Sequence, residues 1–298
     1  MSMSFDYIVT LHTNVATCGV ARFNTELAKR LNIPLRTNWL RGERPLVSVR
    51  WDEVQGDPPL LDDIADSLEH GAGLLMHDLV PPRWIKSASV VYCANDYLLA
   101  SAKAIRSDAT LIHCPSTPLP AVYPQMPRVF SFGMAHKLMI EPYRKLAKML
   151  PSYYCVRLST AMHEGRPLDE ADASLAKLRS IFGSRLAYLG WLSDVALSEE
   201  LRAAHFVAAF FPRGVRANNT SVHMAMLASC VVVTNLDEYS PPEYQHGINL
   251  LDINQLSEWP WQIKNLELRE RARMIAEGPF GWDALIGQFE RKGVTSGT

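Results

Sequence analysis

The sequence predicts an α/β protein of two domains, each a parallel sheet covered by helices. Three observations carry that expectation. Short apolar runs alternate with amphipathic stretches from Asp6 to Ile253, the pattern of buried parallel strands linked by helices. Pro115 to Pro127 packs five prolines into thirteen residues, which neither a central strand nor a helix interior tolerates, so it reads as a linker. Phe210 to Asn235 then runs apolar strand, polar loop, small-residue helix and β-branched strand, one complete α/β turn.

In the first domain Asp6 to Leu11 is a strand, and Val20 to Leu31 a helix with Val20, Phe23, Leu27, Ala28 and Leu31 on one face. Gly19 lies in the turn between them, where a missing Cβ permits close approach of a ligand. Apolar runs at Leu46 to Trp51, Leu74 to His77, Ser89 to Ala94 and Thr110 to Cys114 continue the sheet, with helices near Leu61 to Glu69 and Tyr97 to Ile105.

After the linker the alternation restarts. Strands are expected at Arg128 to Phe132, Tyr153 to Leu158, Leu186 to Leu189, Phe206 to Phe211 and Asn249 to Ile253, and helices at Glu141 to Leu150, Asp172 to Phe182 and Ala196 to Ala204. Leu266 to Ala276 is helical, and Gly278-Pro279 breaks it. Trp282, Leu285, Ile286 and Phe289 then form an apolar stripe at helical spacing that must dock on something. The domains so read are 1–127, completed by a C-terminal helix over 279–298, and 128–278.

The Phe210 to Asn235 unit has a chemical reading of its own. Thr220 or Ser221 can cap its helix, and the loop then delivers backbone N–H groups and the positive end of a helix dipole to one point. Such a point suits a phosphate, and Arg213 and Arg216 add charge beside it.

Composition narrows the class. Of 298 residues 48% are hydrophobic and 20% charged, so the chain can bury sizeable cores. Thirty basic and thirty-one acidic side chains give a net charge of −1, and both halves are near balance, which argues against a generic nucleic-acid binder. The basic cluster Arg30, Arg36, Arg41, Arg44 and Arg50 is interspersed with acids and reads as a solvated face, with peripheral membrane contact left open. Apolar runs fall short of a transmembrane span, and the N-terminus lacks a secretory pattern, so a cytoplasmic location is expected. Five scattered cysteines without a CxxC pair read as reduced core thiols. There is no GxSxG, P-loop or GxGxxG, and His163-Glu164 lacks the second histidine of HExxH.

The ordered pieces of the second half resemble the GT-B glycosyltransferases, and among them the large retaining group called family 4. Pro212, the loop Arg216 to Ser221, Ala225-Met226, Ser229 and Val231 to Val233 fall on that family's strand, loop, helix and strand without gaps. Tyr188-Leu189-Gly190, Leu192-Ser193-Asp194 and Leu201 to Ala204 are similar to the unit before it. Phe132-Gly133 with Lys137, Pro242-Glu243 with His246 to Asn249, and Phe280-Gly281-Trp282 extend the likeness. It covers most of residues 128 to 290, and earlier only Gly19-Val20-Ala21-Arg22 is suggestive. Departures are specific. The two signature glutamates are Arg216 and Met224, the glycine-rich loop is Ala217-Asn218-Asn219-Thr220, and the usual arginine of the opening strand's loop is Met134. Neither Arg216 nor Met224 can accept a hydrogen bond from a sugar hydroxyl as a carboxylate does.

The resemblance implies two Rossmann-like domains facing across a cleft and a hexosyltransferase-like enzyme. It would move a sugar from a nucleotide diphosphate sugar to an unidentified acceptor, whether glycan, lipid-linked glycan or small molecule, with retention of configuration. Without an Asp-x-Asp motif no metal or other cofactor is expected. On the donor side Gly19, Lys137, Arg213, Asn218, Asn219, Thr220 and Ser221 are candidates for phosphate or sugar, and Glu243 for the ribose diol. Arg216 is the candidate phosphate clamp. His77 and Asp78 close a strand at its C-terminal end, where α/β sheets place ligands, as contacts to sugar or acceptor and as proton acceptor. His12 and Asp96 have similar placement. The alternative reading is a non-catalytic nucleotide or nucleotide-sugar binding protein on the same scaffold.

Overall fold

The computed structural model describes residues 5–15, 18–40, 42–116, 128–161, 168–260 and 264–291. The linker residues 117–127, Arg41 and His163-Glu164 lie outside the described residues. The chain separates into two compact units, Met1–Pro115 with Phe280–Thr298, and Ser116–Pro279.

The first unit runs β1 (Tyr7–Val9), α1 (Gly19–Leu31), β2 (Leu35–Arg36), β3 (Pro45–Val47), α2 (Trp51–Val54), α3 (Pro58–Glu69), β4 (Gly73–Met76), α4 (Pro82–Ser87), β5 (Val91–Cys93), α5 (Asp96–Lys103) and β6 (Thr110–Leu111). Its described strands form one parallel sheet in the order β2-β1-β3-β4-β5-β6. Strands β1, β3, β4 and β5 are wholly buried, which explains their continuous apolar composition. Helix boundaries follow local chemistry. Asn95 caps α5 by accepting from Leu98 N–H, Asp57 does the same for α3 with Pro58 at its first position, and Asn32 ends α1 in a left-handed conformation.

The second unit runs β7 (Arg128–Met134), a 3-10 turn Ala135–Lys137, α6 (Ile140–Met149), β8 (Cys155–Ala161), α7 (Leu168–Phe182), β9 (Leu186–Gly190), α8 (Asp194–Ala203), β10 (Phe206–Ala208), α9 (Thr220–Leu227), β11 (Val231–Thr234), β12 (Leu251–Asp252) and α10 (Lys264–Glu277). Its sheet is also parallel, in the order β12-β11-β10-β7-β8-β9. Seven residue pairs from Arg128↔Cys155 to Met134↔Ala161 align β7 with β8. Phe206, Phe210, Tyr143, Tyr154 and Trp259 dominate the core on one face.

Helix α11 (Trp282–Arg291) belongs to the first unit. Trp282 stacks on Phe23 at 5.7 Å and lies under the Arg30 guanidinium at 4.9 Å, and Phe289 packs on Tyr92 at 4.6 Å. Trp282, Leu285 and Phe289 thus share a core with Phe23, Leu27 and Leu31 of α1. Each such side chain contributes about 2 kcal/mol by burial. Among the described residues no helix is long and apolar enough to cross a membrane. All five cysteines are free thiols; burial pushes Cys93, Cys114 and Cys230 up to about 12.

Candidate functional site

In an open parallel sheet, the strand ends diverge where the chain reverses its direction of winding, and ligands bind there at the carboxyl ends. The second sheet has that switch between β7 and β10, and the first between β1 and β3. Each place carries polar residues.

In the second unit, Gly133 and Met134 end β7 and lead into the turn that holds Lys137, which is exposed. Gly133 has φ +151° and Gly190, at the end of β9, φ +68°, and a Cβ on either would meet no atom within 4 Å. The carboxyl ends of β7 and β9 therefore offer open backbone.

Beyond β10 the chain is pinned to the loop after β11. Asn235 accepts from Phe211 N–H at 2.9 Å and donates to Phe211 C=O at 2.8 Å, and Val215 N–H donates to Asn235 C=O at 2.9 Å. Gly214 at φ +71° brings the backbone against Asp237, whose carboxylate would lie 2.6 Å from an added Cβ. Arg216, only 7% exposed, then donates twice to Asp237 at 2.5 and 2.6 Å. Desolvation pushes the Asp237 carboxyl up. Hydrogen bonds from Arg216, Tyr239 N–H and Ser240, together with the Arg216 charge, outweigh it and hold the group below its usual range. Tyr239 lies under the Arg216 guanidinium at 5.7 Å.

The helix cap differs from the sequence expectation. Asn219, not Thr220 or Ser221, holds the N-cap position of α9, and no side chain caps the helix. The Asn219 carboxamide oxygen instead turns back to accept from Arg216 N–H at 2.6 Å. Thr220 N–H donates to Asn218 C=O and Val222 N–H to Asn219 C=O, whereas Ser221 N–H has no backbone acceptor among the described residues. Asn218, Thr220 and Ser221 are half-buried and Arg213 is exposed. Among the described residues no side chain caps the α9 N-terminus, the kind of helix end at which an anion can bind.

Glu243 sits in the turn Pro241 to Tyr244 and is half-buried. Helix α9 fixes that turn through His223, wholly buried, whose Nε2 lies 2.6 Å from the Tyr244 hydroxyl. Asn249 braces it further by donating to Glu243 C=O at 2.7 Å. His223 is thus a packing residue.

In the first unit the strand ends carry one connected polar cluster. Thr10 follows β1, Ser48 follows β3, His77 follows β4, and Asn24 of α1 reaches among them. Asn24 Nδ2 donates to Thr10 Oγ1 at 3.1 Å and to Ser48 C=O at 3.2 Å, and Ser48 Oγ donates to Asn24 Oδ1 at 2.7 Å. Ser48 Oγ lies 2.9 Å from His77 Nε2, and Phe23 packs edge-on against the imidazole at 5.8 Å. Burial, then the charge of nearby Arg50, pushes the His77 imidazole down to about 3, so it is neutral at physiological pH.

Asp78 is half-buried and accepts from the adjacent Leu79 N–H at 2.8 Å. Gly19 is exposed in the first turn of α1, where the Cys18 side chain supplies the cap. His12 lies 3.5 Å from Glu53, and Asp96 is the first residue of α5. Sequence reasoning missed Thr10, Asn24, Ser48 and Asp237. The signal for Thr10 and Ser48 was a polar residue directly after an apolar run, where a switch-point strand ends.

No protein-family model matches the chain, and no curated relative matches it in sequence. Solved structures resemble it along most of its length. Anabaena HepE in complex with UDP is 14% identical, with a TM-score of 0.63 over 97% of this chain and 99% of that one. The same protein in complex with UDP-glucose gives 15% identity and 0.61 over 90% and 87%. A glycosyltransferase from Rickettsia africae gives 7% identity and 0.59 over 97% and 98%. Two parallel six-stranded sheets with flanking helices, shared with these proteins, give the chain the GT-B fold.

Proposed function

We propose that this protein is a glycosyltransferase that moves a sugar, with retention and without a divalent metal, from a nucleoside diphosphate sugar to a hydroxylated acceptor. The carrying observation is the switch point of the second sheet, where Lys137 follows β7 and the loop into the uncapped N-terminus of α9 follows β10. The UDP and UDP-glucose bound by HepE support the same choice of ligand.

In the transfer the bond from the anomeric carbon to the diphosphate oxygen breaks, and the acceptor oxygen bonds to that carbon. Charge gathers on the departing diphosphate. Lys137, Ser221 N–H and the α9 dipole meet it, with Thr220, Asn218 and exposed Arg213 as further donors. Gly133 and Gly190 leave room for the nucleotide, and Glu243 can accept from the ribose diol. Arg216 acts through Asp237: the bidentate pair shapes the loop, while its guanidinium charge is already matched. We assign the acceptor to the first unit, at His77 and Asp78. Asp78 is the candidate acceptor for the proton released by the attacking hydroxyl.

A thermal-shift panel of UDP, GDP, ADP and their sugars tests the proposal. At least one nucleotide should raise the melting temperature, less so in Lys137→Ala. A panel with no shift would exclude a nucleotide-sugar donor. Binding without release of nucleoside diphosphate would favour the non-catalytic alternative, for which the occupied Arg216 is the motivating observation.

A further inference from the structure

The hydrogen bonds around His77 determine which of its nitrogens carries the proton. Ser48 C=O can only accept, so the Asn24 amide nitrogen must face it, and Asn24 Oδ1 must face Ser48 Oγ. The Ser48 hydroxyl hydrogen is then spent on Asn24 Oδ1 at 2.7 Å. Ser48 Oγ can offer His77 only a lone pair, and at 2.9 Å it accepts from Nε2–H. Nδ1 keeps its own lone pair and has no hydrogen-bond partner among the described residues.

We propose that Asn24 and Ser48 are positioning residues that hold His77 as its Nε2–H tautomer, so that Nδ1 is a hydrogen-bond acceptor for a neutral hydroxyl, not a donor for phosphate or carboxylate. A phosphate oxygen and an imidazole lone pair have no hydrogen to share, whereas a hydroxyl supplies one. Phe23, edge-on at 5.8 Å, restricts the ring so that the lone pair keeps its direction. Choosing a sugar as the hydroxyl source rests on the glycosyl-transfer proposal. The tautomer does not.

The test is nitrogen NMR of histidine-labelled protein at pH 7, with the His77 signal assigned by its absence in His77→Gln. The expected spectrum is a neutral ring protonated at Nε2. A ring protonated at Nδ1, or an imidazolium, overturns the proposal. In Ser48→Ala the ring should populate both tautomers, and an unchanged tautomer removes Ser48 and Asn24 from the role. Titration of the wild type with glucose, and separately with inorganic phosphate, reads the ligand class. Movement of the Nδ1 resonance with glucose alone supports it; movement with phosphate, or with neither, overturns it. No arm needs turnover, so a failed transfer assay and a failed tautomer assignment remain distinguishable.

Discussion

Arg216 and Asp237 meet through two hydrogen bonds of 2.5 and 2.6 Å, and the pair ties the loop after β10 to the loop after β11. Arg216 thus draws in a carboxylate from 21 residues further along the chain. The consequence is structural first. Arg216 is nearly sealed, so its charge depends on Asp237 for compensation.

Asp237→Ala should therefore destabilise the second unit by about 2–3 kcal/mol, less than the ~3–5 kcal/mol of a fully buried pair, because the Asp237 side chain is 33% exposed. Urea titration checks this. The folded carboxyl titrates below its unfolded value, so its contribution is present above the ordinary aspartate range, about pH 4, and is lost as pH falls through the folded value.

Gly214→Ala probes the same contact from the other side. Its φ of +71° and the 2.6 Å approach to Asp237 should together cost about 2–3 kcal/mol. Gly133→Ala, with no atom within 4 Å, should cost only the backbone strain, about 1 kcal/mol. Equal losses in thermal unfolding would show that the Asp237 contact is not tight.

Much of the fold was legible because strand burial leaves a direct mark on composition. Val231 to Thr234 and Leu74 to Met76 are wholly buried and read as apolar runs. The two-residue strand Leu35–Arg36 was missed, since so short a segment has no period to detect. The site was less legible because its partners are distant in sequence. Asn24 and Ser48 are 24 residues apart and Ser48 and His77 are 29, so no local spacing links them. The cap of α9 was assigned to Thr220 or Ser221 on local preference. The backbone N–H of Arg216 competes for the Asn219 side chain and wins.

His77 gives a pH signature. Its folded value of about 3 lies below the ordinary 6.5, so the unfolded chain binds the proton more readily between them. Stability should be complete above pH 6.5 and fall towards pH 3, by at most about 1.4 kcal/mol per pH unit. In urea titrations His77→Gln should flatten that window. An identical slope in the variant would show that other groups produce it.

Trp282 anchors α11 by stacking on Phe23 beneath Arg30. Trp282→Ala should cost the first unit about 3–5 kcal/mol, the range for a large aromatic truncated in a core. Hydrogen exchange should speed up in α1 and α11 and leave the second unit's sheet unchanged.

The most direct test of glycosyl transfer is release of nucleoside diphosphate from a panel of sugar nucleotides, measured with EDTA present and compared with Lys137→Ala. Release from at least one donor, undiminished by EDTA and reduced about tenfold or more in Lys137→Ala, is expected. No release from any donor, by a protein whose melting temperature still rises with the nucleotide, would contradict catalysis and leave a binding protein on the GT-B scaffold.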